Sequence, residues 1–256
     1  LIHSSVFEDK DIAPFENERI YHLASAQHFT ERFPPSPFAA VKDKRIFRGN
    51  PLDFSVNYRA LLGALVHWVS KNEQPPESAY PRIEDGTLVN FNETGSPDIP
   101  GVDHPTTIHT VYRANYGPRW KNGIVDLQPP ELIEEFIPKV SKVDVYGNEI
   151  AGVRNIELLV PLATYTPWNL RTEYAGGSHE LIDFRGTYIP FPKTELEKNI
   201  TRDPRPSIES LFHSKEDYLK KISKATDAMI DQGFVLPRDK KYLIDKAKQY
   251  WEWIHK

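Results

Sequence analysis

The sequence predicts a mixed α/β fold in which short strands and helices are joined by long, proline-rich loops and a helical pair closes the chain. A β-type run covers residues 19–25, helical periodicity covers residues 55–71, and two further amphipathic runs follow residue 214. The 256 residues include 22 prolines, yet 39% of them are hydrophobic and 12% aromatic, which is too apolar for a disordered chain. We therefore expect ordered loops packed against a core.

The first predicted element is a strand over residues 19–25, with the sequence R-I-Y-H-L-A-S. It leads into a loop that holds Gln27 and His28. Histidine is the side chain whose ordinary pKa lets it accept and donate a proton near neutral pH. The segment therefore delivers a candidate proton-transfer group to a loop.

The second predicted element is a helix that begins at Ser55 or Asn57 and ends near Lys71. Its apolar positions recur every three or four residues: Leu61, Leu62, Leu65, Val66 and Val69. The following Pro75-Pro76 pair ends the helix.

Later elements are a hairpin and two helices. Gly147 and Asn148 predict a hairpin turn, because both residues tolerate a positive φ. Ser214 is expected to cap a helix that ends before Gly233, and a second helix runs from near Asp239 to Ile254. We divide the chain into a core segment (1–75), an irregular wrapping or cap-like region with the hairpin (76–206) and a C-terminal helical pair (207–256).

Composition excludes several kinds of chemistry. The chain has no cysteine, so disulfides, thiolate nucleophiles and cysteine-based zinc sites are ruled out. A net charge of -4 gives no basic surface for nucleic acid. No apolar run approaches the roughly 20 residues that a membrane-spanning helix needs. The sequence also contains no Gly-x-Ser-x-Gly motif, the turn that presents the serine nucleophile in many hydrolases.

Segments spread in order along the chain carry a family likeness: residues 20–24 with 27–28, 58–62 through 67–69, 76–89, 147–154, 161–171, 188–191, 203–209 and 233–237. Together they resemble the C-terminal half of the "alpha/beta hydrolase domain" proteins of bacteria and fungi. The likeness covers nearly the whole chain, and its weight lies in the number of segments. It implies that the chain is the C-terminal part of an α/β-hydrolase, with the last core strand and the helices that follow it.

The resemblance implies a catalytic triad in the chain order Ser, then Asp or Glu, then His. His28 follows the predicted last core strand, where the family's histidine lies, and would act as general base and then general acid. The serine and the acid would lie on an upstream part of the same hydrolase, which becomes this chain's partner. The expected activity is carboxylic-ester hydrolysis without a cofactor, and we expect the isolated chain to be inactive.

Other histidines and one serine compete with His28 for a chemical role. His22 lies on the predicted strand, and a half-buried structural role is expected for it. His104 and His109 invite a metal site, but their spacing does not match the helical zinc pattern, so we predict no metal. Ser178 follows two glycines, but a glutamate replaces the final glycine of a nucleophile turn, so a nucleophilic Ser178 is not expected.

The run Pro167-Trp168-Asn169-Leu170-Arg171 is the candidate substrate contact. Trp168 would offer an apolar surface, Asn169 an amide and Arg171 a fixed cation on a short length of backbone. The alternative is structural: Trp168 anchors the loop, Asn169 satisfies backbone groups and Arg171 forms a salt bridge.

A different class of function stays open for the whole chain. It could be a binding or scaffolding module that derives from the hydrolase fold and has no catalysis. The family's frequent export signals favour a periplasmic or extracellular location, although the sequence itself leaves the compartment open.

Overall fold

Helices and short strands are interspersed along the chain, as the mixed α/β prediction requires. The computed structural model describes residues 10–37, 44–177, 179–182 and 184–256. The helices are α1 Ser55–Lys71, α2 Ile156–Leu159, α3 Glu195–Thr201, α4 Ile208–Leu211, α5 Lys215–Asp231 and α6 Lys240–Ile254. The strands are β1 Leu88–Asn90, β2 Val111–Asn115, β3 Glu131–Phe136, β4 Lys139–Ser141, β5 Ala163–Thr166 and β6 Thr187–Pro190.

The strands form antiparallel pairs. Strand β1 pairs with β4, β2 with β3, and β5 with β6, and the described ranges contain no larger sheet. The β2–β3 register shifts between Arg113 and Ala114, whereas β5 and β6 pair in continuous register from Ala163–Pro190 to Thr166–Thr187. The chain therefore holds its strands in separate two-stranded ribbons.

The strand predicted over residues 19–25 forms only isolated bridges. Tyr21 bridges Ala79 and Leu23 bridges Val153, both in the parallel sense. Each bridge uses two backbone hydrogen bonds, for example Val153 N–H to the His22 carbonyl at 2.7 Å. The segment is extended, but it changes neighbour after each bridge, so no continuous ladder forms.

The C-terminal helical pair builds the main core. Helix α5 begins as predicted, because the Ser214 hydroxyl accepts the Asp217 N–H at 3.2 Å. The predicted second helix is α6, which buries Leu243, Ala247 and Tyr250. These side chains pack with residues from α2, α4, α5 and the loops, including Val153, Ile156, Ile208, Phe212, Tyr218, Ile222 and Met229.

A second buried cluster surrounds the β5–β6 ribbon and supports the region described below. It contains Leu52, Phe54, Leu158, Ala163, Tyr165 and Tyr188. Beside it, Arg205 is buried and pairs with Asp203 through Nη2 and Oδ2 at 2.6 Å. The Arg205 Nη1 also donates to Thr164 Oγ1 at 2.9 Å, which ties this ion pair to β5.

Helix α1 confirms the predicted element, but its apolar stripe is exposed. Leu62, Leu65, Val66 and Val69 are exposed by 62%, 49%, 55% and 82%. The buried residues of the helix lie in its first half, where Asn57 Nδ2 donates to the Phe234 carbonyl at 3.1 Å. Within the described ranges, none of the helices combines the length and apolar character needed to cross a membrane.

Candidate functional site

A cavity of about 640 Å³ opens beside the β1–β4 and β5–β6 ribbons. Its wall is mostly apolar and includes Leu88, Ile99, Val140, Trp168 and Ile189. The polar side chains on the wall include His22, Glu149, Thr164 and Thr166. This volume lies within the range of small-molecule sites, roughly 300–1,000 Å³, and the mixture of an apolar wall with few polar groups is typical of them.

His22 and Glu149 form a close pair on the cavity wall. The His22 Nε2 lies 2.7 Å from Oε2 of Glu149, and their side chains are 26% and 8% exposed. The same carboxylate oxygen accepts the Ser25 N–H at 2.6 Å. An ionised carboxylate only accepts hydrogen bonds, so Nε2 carries the hydrogen and Nδ1 of a neutral His22 is left as an acceptor. The imidazole is thereby held in one orientation and one tautomer.

The turn before Glu149 is fixed to strand β5 by a side-chain amide. Asn148 Nδ2 donates to the Ala163 carbonyl at 3.1 Å, and its Oδ1 accepts the Tyr165 N–H at 2.7 Å. Gly147 adopts φ 76°, as expected for the predicted hairpin, and a Cβ there would lie 2.8 Å from Thr164. These contacts fix the hairpin against the β5–β6 ribbon and place Glu149 on the cavity wall.

Gly152 positions the other member of the pair. It adopts φ 98°, and a Cβ at this position would overlap the backbone carbonyl of His22. Only a residue without a side chain allows this close approach, which lets Val153 bond the same carbonyl.

His28, the predicted general base, lies in a different environment. Its side chain is exposed, and its ring contacts those of Phe29 and Phe184 at centroid distances of 4.6 and 4.9 Å. It is not among the residues that line the described cavity. The neighbouring Gln27 donates to the Asn50 carbonyl at 2.9 Å, which anchors the loop.

The three predicted substrate contacts are placed differently from one another. Trp168 lines the cavity, and the His104 ring lies 6.0 Å from it. Asn169 is fully buried, and its Nδ2 donates to the Phe47 and Gly186 carbonyls, both at 3.0 Å. Arg171 Nε donates to the Leu181 carbonyl at 3.2 Å. The two polar side chains thus bond backbone groups that hold the Trp168 loop.

The described part of the chain holds no group of three or more histidines and acids close enough to share a metal ion. His104 lines the cavity, and Asp103 pairs with His179 at 3.1 Å. Ser178, the serine that follows two glycines, lies outside the described residues.

Glu149 is the residue that sequence reasoning missed. The Gly147-Asn148 turn correctly placed it on a hairpin, but nothing local paired it with a histidine 127 positions away. The only available signal was indirect: a glutamate directly after a tight turn, in a segment that also carries the family likeness.

Comparison with known proteins identifies a family for the chain. A family model described as "Alpha/beta hydrolase domain" matches residues 2–245. No curated protein matches the chain. No solved structure matches it either.

Proposed function

Because the chain belongs to the alpha/beta hydrolase domain family, whose model matches residues 2–245, we propose that it forms part of a serine hydrolase that cleaves carboxylic esters. The family match is the observation that carries the proposal. The chain supplies the histidine, and an upstream part of the same hydrolase supplies the serine and the acid. The absence of a Gly-x-Ser-x-Gly motif and of any cysteine supports a nucleophile outside these 256 residues.

In the proposed reaction, His28 takes the proton of the serine hydroxyl as the serine oxygen attacks the ester carbonyl. The protonated imidazole then passes that proton to the departing alcohol, and water releases the acid in a second, equivalent cycle. The exposure of His28 supports this role, because its imidazole is accessible to a nucleophile on another polypeptide. Backbone N–H groups of the upstream part would stabilise the oxyanion.

Helix α1 supports the proposed partnership. Its four exposed apolar side chains, Leu62, Leu65, Val66 and Val69, lie at helical spacing and form one stripe. A stripe of this kind needs a covering element, and the occupant we propose is the upstream part of the hydrolase, whose central sheet is covered by helices on both faces.

Trp168 is the proposed substrate contact, since it lines the cavity. Asn169 and Arg171 would act with it by holding the loop that presents the indole, through their bonds to backbone carbonyls. An apolar acyl or alcohol group would pack against Trp168.

The test is activity-based labelling of the complete protein with a fluorophosphonate probe, followed by denaturing mass spectrometry. We expect the label on a serine upstream of this chain. His28→Ala should lower labelling and ester turnover by several orders of magnitude. His213→Ala, an exposed histidine outside the cavity, is the matched control and should leave both unchanged.

Two outcomes would contradict the proposal. If the complete protein takes up no label, the serine-hydrolase proposal is wrong. The second candidate, a binding module, is then favoured, and the cavity and the missing nucleophile motif support it. If labelling survives in His28→Ala but disappears in His22→Ala, the protein is still a serine hydrolase, but His28 is not its general base. That role then belongs to His22, the histidine paired with Glu149.

A further inference from the structure

The cavity wall combines polar groups that are bonded within the protein with a nitrogen of His22 that takes no hydrogen bond within the described ranges. Thr164 Oγ1 bonds the Tyr146 carbonyl and accepts from Arg205. Thr166 Oγ1 donates to the Trp168 carbonyl at 2.6 Å and accepts the Thr187 N–H at 3.2 Å. Both threonine hydroxyls are therefore engaged within the protein.

His22 differs from these threonines. Its Nε2 is bonded to Glu149, whereas within the described ranges no hydrogen bond reaches its Nδ1. The imidazole is 26% exposed, so this nitrogen belongs to a group that a ligand can contact. In the neutral imidazole, whose hydrogen lies on Nε2 toward the carboxylate, Nδ1 is an acceptor and selects a ligand that donates.

We propose that this cavity binds a small, largely apolar molecule that carries one hydroxyl group, with the hydroxyl donating to Nδ1 of His22. The ligand's apolar part would pack against Trp168 and the aliphatic wall that includes Leu88 and Val140. The volume of about 640 Å³ accommodates such a molecule. This is the cavity whose Trp168 we propose as the ester contact, but the binding itself requires no nucleophile and can be measured when turnover is absent.

The test is calorimetric titration of the protein with two probes of nearly equal size, para-propylphenol and its methyl ether para-propylanisole. Both offer the same apolar group, but only the phenol can donate a hydrogen bond. We expect the phenol to bind about two- to tenfold more tightly than the ether, the net value of one hydrogen bond. His22→Leu should remove this preference while binding of the ether persists.

Filling the cavity provides an independent readout. Ile108 lines the cavity, and Ile108→Trp places a bulky ring in it, so phenol affinity should fall at least about tenfold. Val145→Trp is the matched control, because Val145 is 70% exposed and lies outside the lining. Absence of phenol binding, equal affinity for phenol and ether, or unchanged binding in Ile108→Trp would each overturn the proposal. The ligand pair is compared on the unaltered protein, so a variant that fails to fold does not remove the test.

Discussion

The carboxylate of Glu149 lies 2.7 Å from Nε2 of His22, although the two residues are 127 positions apart in the chain. Ser25, three residues after His22, bonds Glu149 twice: its N–H donates to the Glu149 carboxylate, and its hydroxyl accepts the Glu149 N–H at 3.1 Å. The pair is thus built by two reciprocal bonds between an extended segment and a hairpin turn. Its geometry depends on how closely these two backbones approach.

Gly152→Ala tests that close approach. The variant would force a side chain onto a φ of 98° and against the His22 carbonyl. We expect the free energy of unfolding to fall by about 1–3 kcal/mol, the usual cost of such backbone strain. Urea unfolding followed by circular dichroism measures the change. Because the added Cβ would displace the backbone of His22, phenol binding in the cavity should also weaken.

Gly63→Ala is the matched control for this substitution. Gly63 lies within α1, and a Cβ there meets no heavy atom within 4 Å. Alanine favours the helix over glycine, so we expect a gain of about 0.5–1 kcal/mol. The two glycine variants should therefore change stability in opposite directions. A loss in both, or a gain in both, would contradict the packing described around Gly152.

Arg205→Ala tests the buried ion pair behind the β5–β6 ribbon. Arg205 is 1% exposed and holds Asp203, Thr164 and two backbone carbonyls. Its loss leaves the carboxylate of Asp203 buried without its cation, which costs about 3–5 kcal/mol in comparable sites. Chemical denaturation measures the loss. Arg238→Ala, at an exposed arginine, should change stability by no more than about 0.5 kcal/mol; similar losses in both variants would show that Arg205 has no special role.

The helices and the hairpin could be predicted because their signals are local. Ser214 caps α5 through a residue three positions later, and the periodicity of α1 repeats within each turn. Gly147 adopts the positive φ that its turn requires. Each of these features depends on interactions within a few residues, so a single sequence is sufficient to find them.

The site could be predicted only in part, because its contacts join distant segments. The composition of the loop around Trp168 predicts either a substrate contact or a structural anchor, and Trp168 lies on the cavity wall. The Glu149–His22 pair and the engagement of Asn169 by the backbone of Phe47 depend on tertiary contacts. The strand over residues 19–25 was predicted from local pattern, whereas its pairing depends on neighbours that change from Ala79 to Val153.

The apolar stripe of α1 gives a third prediction. Val69→Asp places a charge on a side chain that is 82% exposed, so the fold of this chain should be unaffected. If the upstream part of the hydrolase covers the stripe, the charge becomes buried at the interface and weakens association strongly. Sedimentation velocity of the separately produced parts measures the complex. Val145→Asp, at a valine that is 70% exposed elsewhere, should leave the complex intact, and equal effects of the two variants would exclude α1 as the interface.

Alkaline pH should destabilise the protein through its tyrosines. Burial, and then the hydrogen bond to Asp53, raise the pKa of Tyr242 from 10.0 to about 12. Burial also raises the pKa values of Tyr165, Tyr218 and Tyr250. The folded chain holds these phenolic protons more tightly than the unfolded chain, so the associated stability is complete below pH 10 and is lost as the pH rises through the folded values.

Tyr242→Phe isolates one of these groups. The variant lacks the hydroxyl that donates to Asp53 Oδ2 at 2.8 Å, so it should be less stable than the unaltered protein at neutral pH. The difference should shrink between pH 10 and about 12, because the unaltered protein loses the contribution of Tyr242 over that interval and the variant has none to lose. Urea unfolding at neutral pH and at steps across this interval measures the difference. A gap that stays constant or widens with pH would show that Tyr242 does not titrate above its ordinary pKa in the folded protein.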